Sequence, residues 1–72
     1  MPYTLVHTFG TTSTPVTSSD DKASCARAVR DALVSLDVPL AGLVWRPIAA
    51  GLMSAPVGET VLGTRGHNFT II

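Results

Sequence analysis

The charged residues of this chain are concentrated in one segment. Residues 20–37 carry seven of the ten, and the others are Arg46, Glu59 and Arg65. A soluble domain normally spreads charges of both signs over its whole surface. Residues 20–37 therefore have the composition of a solvated helix, whereas the rest of the chain is apolar or hydroxyl-bearing. The pattern predicts a molecule with one side in water and one side that rests on another surface.

The length of the chain limits what can stabilise it. Seventy-two residues form one domain with a small core. Domains of this size often add disulfides, a structural metal or oligomerisation. Cys25 is the only cysteine, which excludes an internal disulfide, and its spacing from His7 and His67 is not that of a zinc site. We expect no metal or other cofactor, and either a homo-oligomer or a well-packed small monomer.

The charge balance and hydropathy exclude two classes of partner. Five basic residues are matched by five acidic ones, whereas a nucleic-acid-binding protein needs a concentrated basic surface. No stretch approaches the roughly 20 apolar residues of a membrane span, and the first residues lack the basic region of a signal peptide. A lone cysteine is typical of a reducing compartment. The expected location is cytoplasmic, without nucleic acid or membrane as a partner.

The first residues alternate between two faces, as in a β-strand. Residues 3–9 are rich in β-branched and aromatic types, which favour this conformation. One face carries Tyr3, Leu5, His7 and Phe9, and the other carries Thr4, Val6 and Thr8. Gly10 ends the strand, and residues 11–15 are predicted to form a polar loop that Pro15 stiffens.

A helix is predicted over residues 19–37. Residues 17–19 are favourable cap types, and Asp20 and Asp21 place negative charge at the first turn. The apolar positions that follow recur at spacings of three and four, which is suited to packing on a sheet. They are Ala26, Val29, Leu33 and Leu36. Pro39 stops the helix.

The second half of the chain is predicted to contain strands and one irregular segment. Residues 43–46 are strand-like, and Pro47 ends that strand or confines it to an edge. Residues 49–57 have no clear period and are too rich in glycine, alanine and proline for an assignment. We expect an apolar loop over residues 48–57.

The last residues are typical of a β-hairpin. Residues 59–63 and 68–72 favour strands, and Gly66 can supply the positive φ that the turn between them needs. The predicted fold is α+β, with one amphipathic helix packed on a small, mostly antiparallel sheet in the order β-α-β-β-β. The uncovered sheet face would be uncharged and rich in hydroxyls. It would carry Thr4, Val6, Thr8, Thr70 and Ile72.

No pattern in the sequence indicates catalysis. Cys25 lies beside the apolar stripe of the predicted helix, where a buried and inert thiol is expected. His7 and His67 can meet, but a histidine base needs an orienting carboxylate, for which only Glu59 is placed. Residues 58–65 have the glycine spacing of a phosphate loop without its Lys-Ser/Thr ending. We expect no catalytic residues and a histidine pair that is either structural or a pH-sensitive contact.

The predicted contact surface centres on residues 48–57, ten residues without a charge. Apolar side chains in this segment would be left in water unless they meet a partner or fold back on the core. Trp45 and Arg46 are residue types enriched in interaction hot spots, although packing of Trp45 against the helix in the core is the favoured alternative. The candidate interface residues are Trp45, Arg46, Ile48, Leu52, Met53 and Val57.

These observations favour a non-enzymatic protein-binding or assembly protein that acts through its low-charge surface and the apolar loop. The expected partner is a second copy of the chain or another protein. Its size is that of the accessory proteins that compact genomes, such as those of phages and mobile elements, encode. The alternative is a small-ligand-binding or regulatory module with a pocket near Trp45, His7 and Tyr3.

Overall fold

Two helices cover one face of a four-stranded antiparallel sheet. They belong to the described part of the chain, residues 2–72, in a computed structural model. In chain order the elements are β1 (Tyr3–Phe9), β2 (Thr12–Ser19), α1 (Lys22–Ser35), α2 (Ala41–Ser54), β3 (Thr60–Thr64) and β4 (His67–Ile71). The strands lie in the order β2-β1-β4-β3. The predicted α+β class is confirmed, but the predicted order β-α-β-β-β is wrong, because the chain runs β-β-α-α-β-β.

The segment predicted as a polar loop is a strand. Residues 11–15 fall mostly in β2, which pairs with β1 after a tight turn at Gly10, whose φ is 62°. Threonine and valine suit a pleated strand, but β2 is exposed along nearly its whole length. It therefore shows no apolar alternation. Pro15 is tolerated because β2 lies at the edge of the sheet, where a missing N–H breaks no ladder.

The predicted helix is confirmed in its central part and is shorter at both ends. α1 begins at Lys22, and the Asp21 side chain caps it by accepting a hydrogen bond from the Ala23 amide at 3.1 Å. Ser19, which was expected to lie at the cap, is instead the last residue of β2. The buried face carries Cys25, Ala26, Val29, Ala32 and Leu33.

The second helix is the largest correction. The strand predicted at residues 43–46 and much of the loop predicted at residues 48–57 together form α2. Pro47 removes one helical hydrogen bond, the one that would reach the Leu43 carbonyl on the exposed face. The helix forms because its buried positions recur at helical spacing and pack on α1 and on β3 and β4. They are Ala41, Ile48, Ala49 and Leu52.

The predicted C-terminal hairpin is confirmed, with its bounds shifted by one residue. Arg65 and Gly66 form the turn with φ values of 53° and 83°, so glycine supplies the left-handed conformation as expected. Ile72 exchanges two backbone hydrogen bonds with Thr4, at 2.8 and 2.9 Å, which extend the pairing of β4 with β1 by one residue.

The core lies between the sheet and the helices. Its fully buried side chains include Leu5, Leu33, Leu52 and Phe69. The opposite face of the sheet carries three hydroxyl pairs and no charged residue in its strands. They are Thr4–Ser18 at 3.0 Å, Thr8–Ser13 at 3.1 Å and Thr60–Thr70 at 2.9 Å. Neither described helix has the length and apolar content needed to cross a membrane.

Candidate functional site

Two of the candidate interface residues lie in the protein's own core. Ile48 is 6 % exposed and Leu52 is 1 % exposed. Both face the sheet because the segment is a helix whose inner side packs there, not a loop that leaves them in water. Neither side chain is therefore accessible to a partner at the surface of the folded chain. Both pack back on the protein's own core, the other outcome considered for this segment.

The other candidates lie at or near the surface. Met53 is 45 % exposed near the end of α2, and Val57 is exposed in the segment that follows. Trp45 is half-buried and packs against the core. The Arg46 guanidinium lies 5.7 Å from the centre of the Trp45 ring, a distance that fits a cation–π contact.

The outer side of α2 presents an apolar surface that sequence reasoning missed. Leu43 is 70 % exposed in its first turn, and Pro47 and Ala50 continue the same exposed stripe. Leu62, on the neighbouring edge strand β3, is 79 % exposed. A groove of about 240 Å³ separates α2 from β3, and its wall includes Val44. We call Leu43, Val44, Pro47, Ala50 and Leu62 the α2–β3 patch.

The α2–β3 patch is nearly free of charge. Residues 38–64 contain Arg46 and Glu59 as their only charged residues. A helix that is apolar on all sides is usually buried on all sides. The signal was present in the sequence, since apolar residues occupy both faces of a helix drawn from residue 41 to residue 54.

A pair of histidines forms a second feature, where β1 meets β4. His7 Nε2 lies 2.8 Å from His67 Nδ1, so one nitrogen donates a hydrogen bond and the other accepts it. The ring centres are 5.0 Å apart. This separation is about the 2.8 Å between the two nitrogens plus one imidazole ring radius on each side. The rings therefore meet edge to edge. Phe9 stacks on His67 with ring centres 4.6 Å apart.

The edge-to-edge geometry fits a shared proton and does not fit a chelated metal. The two ring nitrogens face each other, with the N–H of one aimed at the lone pair of the other, rather than at a common third point. A zinc ion bound at about 2.0–2.1 Å from each nitrogen would require the rings to turn or move apart. Residues 2–72 also contain no group of three potential metal-ligating side chains.

The surroundings of His7 favour its neutral form. Burial lowers the pKa of His7 below its usual value of 6.5, and the positive charge that His67 can carry lowers it further. A second proton on the pair would place two N–H groups face to face. The predicted meeting of the two histidines is thus observed, and the pair has the geometry of a pH-sensitive contact.

A cavity of about 260 Å³ opens beside His7, between α1 and the β1–β2 hairpin. Its wall is mostly apolar, with an imidazole, two hydroxyls and a carboxylate. The lining residues are His7, Thr14, Val16, Asp31, Ala32, Ser35 and Leu36. The pocket predicted near Trp45, His7 and Tyr3 is therefore placed differently, because only His7 of those three lines this cavity.

The described residues show no assembled nucleophile. The Cys25 thiol is buried and donates a long hydrogen bond of 3.6 Å to the Tyr3 carbonyl oxygen, which fits the inert role expected for it. Among the hydrogen bonds of residues 2–72, none joins a hydroxyl or thiol to either imidazole.

No protein-family model, curated protein or solved structure matches this chain. Its function is therefore inferred from its own features, the α2–β3 patch and the cavity beside His7.

Proposed function

We propose that this protein is a non-enzymatic assembly protein that pairs with a second copy of itself through the α2–β3 patch. The observation that carries the proposal is the exposure of Leu43 and Leu62 on adjoining elements, 70 % and 79 %. Large apolar side chains grouped in this way typically mark an interaction site.

A second copy suits this surface because the patch and its surroundings are electrically balanced. Arg46 and Glu59, the charges of residues 38–64, are opposite in sign. A two-fold dimer brings the same patch of each copy together, so a surface of one strong charge would repel itself. The near absence of charge here removes that obstacle.

The shape of α2 also permits close pairing. Pro47 and Ala50 occupy the middle of its exposed stripe, and small or compact side chains at a helix crossing allow the two backbones to approach. In an antiparallel pair of α2 helices, Leu43 of each copy would lie toward the Met53 end of the other. The exposed Met53 provides an adaptable apolar contact there.

The solution mass tests the proposal directly. Light scattering behind a sizing column, over a wide range of concentrations, is expected to give about twice the 7.5 kDa of one chain at the upper concentrations. A mass of one chain at every concentration would overturn self-association. The patch would then have to serve a different protein or none.

The cavity supports a second candidate function, a small-ligand-binding or regulatory module. The cavity beside His7 is open to solvent, has a volume of about 260 Å³ and has the mostly apolar wall with a few polar groups that is typical of small-molecule sites. A fragment screen followed by amide NMR shifts tests this function. Shifts confined to the lining residues would support it, and a broad library without any such shift would oppose it.

A further inference from the structure

We infer that the cavity beside His7 binds a small organic cation, a protonated amine attached to an apolar body. This inference rests on the second candidate function, a small-ligand module, and adds the chemical class of the ligand. It is argued from the charge, the hydrogen-bonding groups and the size of the cavity.

The negative charge of the cavity comes from α1. Asp31 lines the wall, and the ion pair found among the described residues joins Arg27 to Asp21 instead, at 4.0 Å. The last turn of α1 contains no basic residue. The negative end of the helix dipole therefore adds to the Asp31 carboxylate at this end of the cavity. None of the lining residues is lysine or arginine.

The strands complete a site that accepts hydrogen bonds. The hydroxyl oxygens of Thr14 and Ser35 can each accept a bond from an ammonium group. His7 adds no positive charge near neutral pH, because burial and His67 hold its pKa below the usual value. An ammonium ion in the cavity thus contacts one carboxylate, two hydroxyls and a neutral ring. An anion would be repelled by the Asp31 carboxylate.

The size and the apolar wall define the rest of the ligand. Val16, Ala32 and Leu36 line the cavity with aliphatic groups. An engineered apolar cavity of about 150 Å³ can hold benzene, and this cavity measures about 260 Å³. An aromatic ring with a two-carbon amine chain is therefore a suitable probe. Phenethylamine has this structure, and 2-phenylethanol is its neutral counterpart of nearly equal size.

The test is an NMR titration of the full chain with these two probes at pH 7.5. Phenethylamine is expected to shift the amides of the lining residues and to bind more tightly than 2-phenylethanol. Asp31→Asn should weaken phenethylamine binding by up to about fivefold, the upper end of the range for an ion pair at an exposed site, and should leave 2-phenylethanol unaffected. Asp37→Asn is the matched control, because it removes the same charge beyond the end of α1 and outside the lining.

The outcomes separate the ligand class from the ligand site. If both probes bind equally and Asp31→Asn changes neither, the cavity binds small molecules but the inferred cation is wrong. If neither probe shifts the lining residues, this inference fails, while the broader fragment screen still decides whether the cavity binds ligands of another kind. Ser35→Leu provides a second check, since the larger side chain should occupy the cavity and abolish the shifts without affecting the core.

Discussion

Leu43→Asp should separate self-association from folding. Leu43 is 70 % exposed, so its side chain contributes little to the core of a single chain. It lies in the first turn of α2, where the wild-type protein has no acidic residue. A carboxylate at that position complements the positive end of the helix dipole. The variant should therefore keep its helix while carrying a charge within the proposed contact.

The size of the effect follows from the exposed area of Leu43. Burying a whole leucine side chain gains about 1.5–3 kcal/mol, and most of this side chain is exposed in the single chain. A two-fold dimer loses the contribution of the exposed 70 % twice, which gives roughly 2–4 kcal/mol. Since about 1.4 kcal/mol corresponds to a factor of ten, the dissociation constant should rise on the order of 30- to 1,000-fold.

Sedimentation equilibrium can measure this change, with circular dichroism to confirm that helix content is retained. Val34→Asp is the matched control, because Val34 is 58 % exposed on α1, away from the α2–β3 patch. It should leave the dissociation constant nearly unchanged. If Val34→Asp weakens the dimer as much as Leu43→Asp does, the weakening comes from the added negative charge at any position. The α2–β3 patch is then not the contact.

Other predictions concern stability. Leu52→Ala should lower the free energy of unfolding by about 2–5 kcal/mol, whereas Met53→Ala at low protein concentration should change it by no more than about 0.5 kcal/mol; urea unfolding compares them. Asp21→Ala should cost about 0.5–2 kcal/mol because it removes the cap of α1, and Asp20→Ala is its control in the same assay. Because the folded-state pKa of His7 lies below 6.5, the unfolded chain binds more protons just below that pH. The contribution of His7 to the free energy of unfolding should therefore be fully present above pH 6.5 and be lost as the pH falls below it. Thermal unfolding at pH 7.5 and 5.5 should show a smaller fall for His7→Gln, with Asp31 and His67 as the titratable groups that remain nearby.

The spacing of apolar and polar residues predicted those elements that have one apolar face and one polar face. α1 has charges on one side and a buried stripe on the other, so its position followed from spacing alone. The C-terminal hairpin followed from two β-favouring runs around Gly66. β2 was missed because both of its faces are polar, and an exposed edge strand leaves no apolar alternation to detect.

α2 was missed because Pro47 and two glycines, Gly42 and Gly51, lower the local preference of this segment for helix. Its conformation depends on tertiary packing, which supplies the core contacts of Ile48 and Leu52. Assigning that segment to a loop also left two buried residues, Ile48 and Leu52, among the candidate interface residues. The charge-free composition singled out the segment, but only the helical periodicity shows that Leu43 faces outward and Leu52 inward.

The two proposed binding sites should act independently. The sheet order β2-β1-β4-β3 places the cavity on the β1–β2 side, under α1, and the α2–β3 patch at the opposite edge. Pairing through the patch therefore leaves the cavity open, and Leu43→Asp should bind phenethylamine with the affinity of the wild type in the same NMR titration. The histidine pair offers the shortest structural link, because His7 lines the cavity and His67 follows the turn from β3. If monomeric Leu43→Asp binds phenethylamine with a different affinity from the wild type, the independence of the two sites is refuted. If His67→Gln then restores the wild-type affinity, the histidine pair is the link that couples them.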